Sequence, residues 1–121
     1  MSELPPPTRE VAHLVALIGP EATLALVERW GGTRLYLPKW SGPDSELWAV
    51  VGGDAARCLS ERYGREQIEV PGARQWRILV YRGRGMSHAQ IARATGCTER
   101  TVRRFLGRAA EVEQQLDFFQ F

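Results

Sequence analysis

Apolar residues recur at helical spacing from the first turns of the chain. Val11, Leu14, Val15 and Ile18 share one face of a helix predicted over residues 8–18, with Thr8 as its N-cap and Gly19 as its end. Pro20 opens a second helix, where its missing N–H costs nothing, and Leu24, Val27 and Trp30 mark the inner face. Gly31-Gly32 stops that helix. Residues 33–37, TRLYL, then alternate as a strand before Pro38.

The pattern is then repeated. A shift of 33 residues lays LVALIGPEATLALVERWGGTRLYLP over LWAVVGGDAARCLSERYGREQIEVP without a gap. Leu14, Ala16, Gly19, Ala22, Leu26, Glu28, Arg29, Gly31 and Pro38 meet identical residues at 47, 49, 52, 55, 59, 61, 62, 64 and 71. Residues 14–38 and 47–71 therefore read as a duplicated helix–helix–strand unit. Two copies are too few for a solenoid. They are expected to close face to face about a pseudo-two-fold axis, with strands 33–37 and 66–70 pairing as a short antiparallel ribbon. Asp44 or Ser45 caps the second copy's first helix.

Beyond Gly72 the spacing changes character. Trp76, Leu79 and Val80 give an arginine-rich helix its inner face, and Gly83 to Gly85 breaks it. In SHAQIARATGCTERTVRRFLG, residues 87–107, Ile91, Ala92 and Thr95 mark one short helix and Val102, Phe105 and Leu106 the next. Gly96 stands where the chain must turn with positive φ, and Thr98 is placed to cap the second helix, 98–107. Ala92 suits the close approach of two helices that cross steeply. The whole reads as mainly α: a duplicated helix–helix–strand unit with a short β ribbon, followed by a trihelical helix-turn-helix. The expected divisions are a flexible proline-rich lead at 1–7, the duplicated domain at 8–71, the helix-turn-helix at 72–108 and an acidic, aromatic tail at 109–121.

Charge sharpens this picture. Residues 1–71 hold 7 basic and 10 acidic groups, whereas residues 72–108 hold 9 arginines against Glu99 alone. Residues 109–121 hold three acids and no base. Positive charge concentrated on one module is the footprint expected of binding to double-stranded DNA, whereas a solvated surface mixes both signs. Arg74, Arg77, Arg82 and Arg84 are expected on phosphates. On the last helix Arg100, Arg103 and Arg104 divide between phosphates and base edges, with Thr98, Glu99 and Thr101 beside them and Ser87 and His88 at the start of the motif. A helical hairpin with a merely solvated face is the alternative.

Two phrases carry a family resemblance. ERWGGTRLYLPK, residues 28–39, and the arginine-rich stretch 87–107 resemble the Mor transcription activator family of phage middle and late gene activators. The resemblance implies a dimerisation unit of two helices and a strand, then a helix-turn-helix that grips a promoter and helps RNA polymerase bind. Gly31, Gly32 and Pro38 match the ends of its strand, and Arg100, Arg103 and Arg104 its reading helix. The chain departs in carrying two dimerisation-like units and one helix-turn-helix. The repeat can thus form an intramolecular pseudo-dimer where a homodimer would otherwise be needed.

The tail has three readings. Val112, Leu116 and Phe119 can continue the last helix and dock on the domain. Gln115-Leu116-Asp117-Phe118-Phe119 is similar to the pentapeptide that docks on the bacterial sliding clamp, which would make the protein a DNA-anchored accessory of replication, repair or transposition. In the third reading the same acidic, aromatic segment touches RNA polymerase or serves to dimerise.

Catalytic chemistry is not expected. His13 and His88 lack neighbours at metal-ligand spacing, neither Gly31-Gly32 nor Gly52-Gly53 is followed by a phosphate-loop lysine, and Tyr36 near Lys39 lacks the arginines and histidines of a recombinase. No cofactor or metal is implied. Cys58 and Cys97 read as free thiols in a reducing interior, and no membrane-spanning run or secretion signal is evident, so a cytoplasmic protein is expected.

Overall fold

The computed structural model describes residues 4–40 and 42–118, with side chains described up to residue 111. Its elements are α1 (Ala12–Ile18), α2 (Pro20–Trp30), β1 (Arg34–Leu37), α3 (Glu46–Val51), α4 (Gly53–Tyr63), β2 (Glu66–Glu69), α5 (Arg74–Gly83), α6 (His88–Thr95) and α7 (Glu99–Phe118). Two compact units part between Ala73 and Arg74.

In the first unit α1–α2–β1 and α3–α4–β2 follow the same course. Neither helix pair is long enough to be stable alone, and each buries its stripe against the other: α2 packs on α3, and α4 on α1. Leu14, Leu26 and Leu37 of one half and Leu47, Leu59 and Val70 of the other fall in the resulting core. The strands pair antiparallel, with Leu35 opposite Ile68. These residues stand 33 apart, so each faces its own counterpart, which places a local two-fold axis between them.

The backbone obeys the same relation in detail. Gly19 and Gly52 have φ/ψ of 86/163° and 90/161°, and Gly31 and Gly64 have −53/132° and −52/134°. A Cβ at Gly31 would stand 2.3 Å from the Val27 carbonyl oxygen, and one at Gly64 2.4 Å from that of Ser60. Glycine is therefore required at both corners. The next residue donates its N–H across the ribbon: Gly32 to Val70 O and Arg65 to Leu37 O, each at 2.7 Å.

The halves differ where one is more polar. Leu24 is buried, while its counterpart Arg57 is exposed beside Asp54. Arg29 reaches Glu46 at 2.8 Å, bridging α2 and α3 at an exposed position worth little on its own. Arg29 also stacks on Trp30, as Arg62 does on Tyr63.

Two details depart from the spacing. Thr8 does not cap α1. Val11 N–H donates to Thr8 O in a turn, Val11 adopts φ/ψ of −112/0° outside the helix, and α1 begins one residue later. That turn places Val11 wholly in the core, and Thr8 Oγ1 is buried without a hydrogen-bond partner among the described residues. Ser45 does cap α3, accepting from Trp48 N at 3.1 Å. Among the described residues, no helix is long and apolar enough to cross a membrane.

Arg65 occupies a left-handed conformation, φ 73°, where its counterpart is Gly32 at φ 82°. A side chain there costs about 1–2 kcal/mol, partly offset because glycine is more disordered when unfolded. Arg65→Gly is expected to stabilise the first unit by up to about 1 kcal/mol, and Gly32→Ala to destabilise it by at least about 1 kcal/mol. Urea unfolding of the two variants would check the pair of signs; equal shifts would contradict the strain.

Candidate nucleic-acid interface

The second unit is assembled from three helices and two sharply defined turns. Trp76, Ile78, Val80 and Tyr81 of α5 are buried, with Ile91, Ala92 and Thr95 of α6 and Val102 and Leu106 of α7. Leu79, expected inward, is only half-buried, because Ile78 and Tyr81 take buried places on α5. Ala92 is buried on α6, which packs against α7, and Thr95 satisfies its buried hydroxyl by donating to Ile91 O at 2.7 Å.

The helix ends follow from residue type. Ser87 and Gln90 form a reciprocal capping box: Ser87 Oγ accepts from Gln90 N at 3.2 Å, and Gln90 Oε1 accepts from Ser87 N at 2.8 Å. Gly96 ends α6 at φ/ψ 71/36°, and Cys97 N–H reaches back to Ala92 O. Such a closure fits glycine because the left-handed conformation crowds any Cβ. Thr98 Oγ1 then accepts from Thr101 N at 3.2 Å and lies 3.1 Å from Thr101 Oγ1, so both hydroxyls serve the start of α7.

These turns set the exposed face of α7. Glu99, Arg100, Arg103 and Arg104 are exposed over its first two turns, while Val102 and Leu106 face inward. Arg100, Arg103 and Arg104 have no ion pair or hydrogen bond among the described residues. Three unneutralised guanidiniums on one helical face are free to meet phosphates or base acceptors. Arg74 and Arg82 are exposed on α5, and Arg84 lies over the Tyr81 ring at 5.9 Å. His88 is half-buried at the first position of α6.

Arg77, expected on a phosphate, also makes contacts within the module. Its Nη2 donates to Ala94 O at 2.7 Å, its Nε donates to Tyr81 Oη at 3.2 Å, and its guanidinium lies 5.6 Å from the Tyr81 ring centre. Ala94 is in the last turn of α6, where carbonyls lack helical partners and attract cations. Arg77 therefore clips α6 to α5. Sequence spacing could not separate this arginine from the others, since the carbonyl it meets lies 17 residues away. Conversely, Arg93 on α6 and Arg108 on α7 are exposed and extend the basic surface, although only the charge count pointed to them.

The α7 backbone continues without a break to Phe118, through the stretch that begins the tail. The side chains of Gln115, Leu116, Asp117 and Phe118, and Phe119 altogether, lie outside the described residues. Among the described residues there is no group of three or more His, Cys, Asp or Glu that could hold a metal ion.

Loss of the clip has a measurable consequence. Arg77→Met is expected to destabilise the second unit by about 1 kcal/mol, the net value of such a bond, while retaining the stem of the side chain. Hydrogen exchange at the α6 amides should accelerate. Unchanged exchange with weakened DNA binding would return Arg77 to the phosphate contacts.

Residues 73–111 match the family model described as Sigma-70, region 4. No curated protein and no solved structure matches the chain. The matched family does not extend to the narrower likeness to Mor activators. It coincides with α5, α6 and most of the described α7, including all nine arginines of the basic module. The second unit is thus similar to a DNA-binding helix-turn-helix of the transcription machinery.

Proposed function

We propose that the protein is a sequence-specific regulator of transcription that reads the major groove with the first two turns of α7. The carrying observation is the face formed by Arg100, Arg103 and Arg104, exposed and without an ion pair among the described residues, on a helix whose start is capped by Thr98. Arg100 is the base reader, with Glu99 beside it able to accept from a cytosine amino group. Arg74, Arg82, Arg84, Arg93 and Arg108 supply phosphate contacts, which set register and much of the affinity. Ser87 and His88, at the start of α6, lie where a helix N-terminus favours a phosphate.

The role is that of an activator of phage or phage-derived type, acting in the cytoplasm with RNA polymerase as partner. The likeness of residues 73–111 to Sigma-70, region 4 supports the polymerase, and the phrase GGTRLYLPK supports the activator class. The two-fold arrangement within residues 8–71 supports a chain that supplies its own pseudo-dimer.

Selection of bound sequences from a random duplex pool tests this reading. A defined motif is expected. Arg100→Ala should relax selection at one or two base positions, at a cost of about 1–3 kcal/mol for the preferred site. Arg82→Ala should weaken all sequences alike and reduce the slope of log affinity against log salt by about 1. Tight binding without an enriched motif would refute the reading. It would leave a non-specific anchor, for which loss of clamp binding in Leu116→Ala and Phe119→Ala would be the next measurement.

A further inference from the structure

Gly107 stands at the middle of the exposed face of α7. Arg100, Arg103 and Arg104 precede it by seven, four and three residues, Arg108 follows it, and Glu111 lies one turn on. At 100° per residue, positions 100, 103, 104 and 111 surround it on the surface opposite Val102 and Leu106. Among the described residues, no contact requires a glycine here. Its backbone is helical, it is exposed, and beyond its own turn of helix a Cβ built on it would meet no atom of the described residues within 4 Å. Glycine in a helix interior is disfavoured relative to alanine because it loses more backbone freedom on folding. Gly31 and Gly64 contrast with it, since a Cβ on either would collide with the protein's own backbone.

We propose that a sugar–phosphate strand of bound DNA packs directly on the α7 backbone at Gly107, in the gap between its flanking arginines. The inference rests on the reading of α7 as the groove-binding helix. Eight residues separate Glu99 from Gly107, a rise of about 12 Å, comparable with the width of about 12 Å of the major groove. A helix that presents its first turns to base edges reaches the groove wall over that distance. There the absence of a Cβ admits the strand to the helix surface, and Arg103, Arg104 and Arg108 bracket it as phosphate ligands. Affinity for DNA is then obtained at the expense of helix stability, and the two effects of a substitution must have opposite signs.

The test uses the full chain, a thermal melt and titration of a duplex chosen from the selected pool, with Gly107→Ala, Gly107→Leu and Arg100→Ala compared. Gly107→Ala should raise the melting temperature of the second unit by a few degrees. It should weaken the duplex several-fold, and Gly107→Leu should weaken it further while the protein remains folded. Gly107→Ala that melts higher and binds as the unaltered chain does would overturn the strand contact, provided Arg100→Ala still weakens binding. Failure of the unaltered chain to bind duplex at moderate salt, or an Arg100→Ala chain that binds equally well, would instead remove the groove-binding reading and this inference with it.

Discussion

The first unit depends on one constraint: a helix pair of 7 and 11 residues, or 6 and 11, cannot bury its own apolar stripe. Helices this short are marginal in water, so their order derives from packing on the other pair. The ribbon fixes how the pairs meet. Because Leu35 faces Ile68, any slip of register would move Leu37 and Val70 off their buried face and break the local two-fold at once. The bonds from Gly32 to Val70 O and from Arg65 to Leu37 O close the two ends of the ribbon in the same way. Each requires positive φ at the donor, which explains why a left-handed arginine is retained opposite a left-handed glycine.

In the second unit the corresponding constraint is polar satisfaction at short helix ends. Serine and glutamine share donors at the start of α6, glycine closes its end, and threonine caps α7. Arg77 holds the α6 terminus to α5 through a carbonyl that the helix itself leaves unpaired. With these groups committed, Arg100, Arg103 and Arg104 are left exposed and without a partner among the described residues. The division between an arginine that builds the module and arginines that face outward is set by which carbonyl each can reach, not by charge.

Much of this was legible because it is local or periodic. The 33-residue shift anticipated both helix pairs, their strands and the antiparallel ribbon, and Gly96 and Thr98 marked their turn by residue type. The failures have a common cause in tertiary contact. Thr8 had the chemistry of a cap, but burial of Val11 diverted the preceding residues into a turn. Leu79 and Ile78 are equally apolar, and only packing decides which is covered. Arg77 is indistinguishable from Arg74 or Arg82 until α6 is folded beside it. Arg65 reads as an ordinary charged residue until the glycine 33 positions earlier shows what backbone that site demands.

The segregation of charge bears on how discrimination can arise. Nine arginines and one glutamate within residues 72–108 would attract any duplex, and phosphate contacts of that kind carry no sequence information. On the proposed reading, selectivity comes from the few side chains at the start of α7, each able to distinguish a base by about 1–3 kcal/mol. One reading helix spans only a few base pairs, and a local two-fold in the first unit does not supply a second copy of α7. A regulator so built gains specificity chiefly when a partner already confines it to a promoter. In the function proposed above RNA polymerase is that partner, and tethering would convert a weak, short-site preference into a choice among the few sequences within reach.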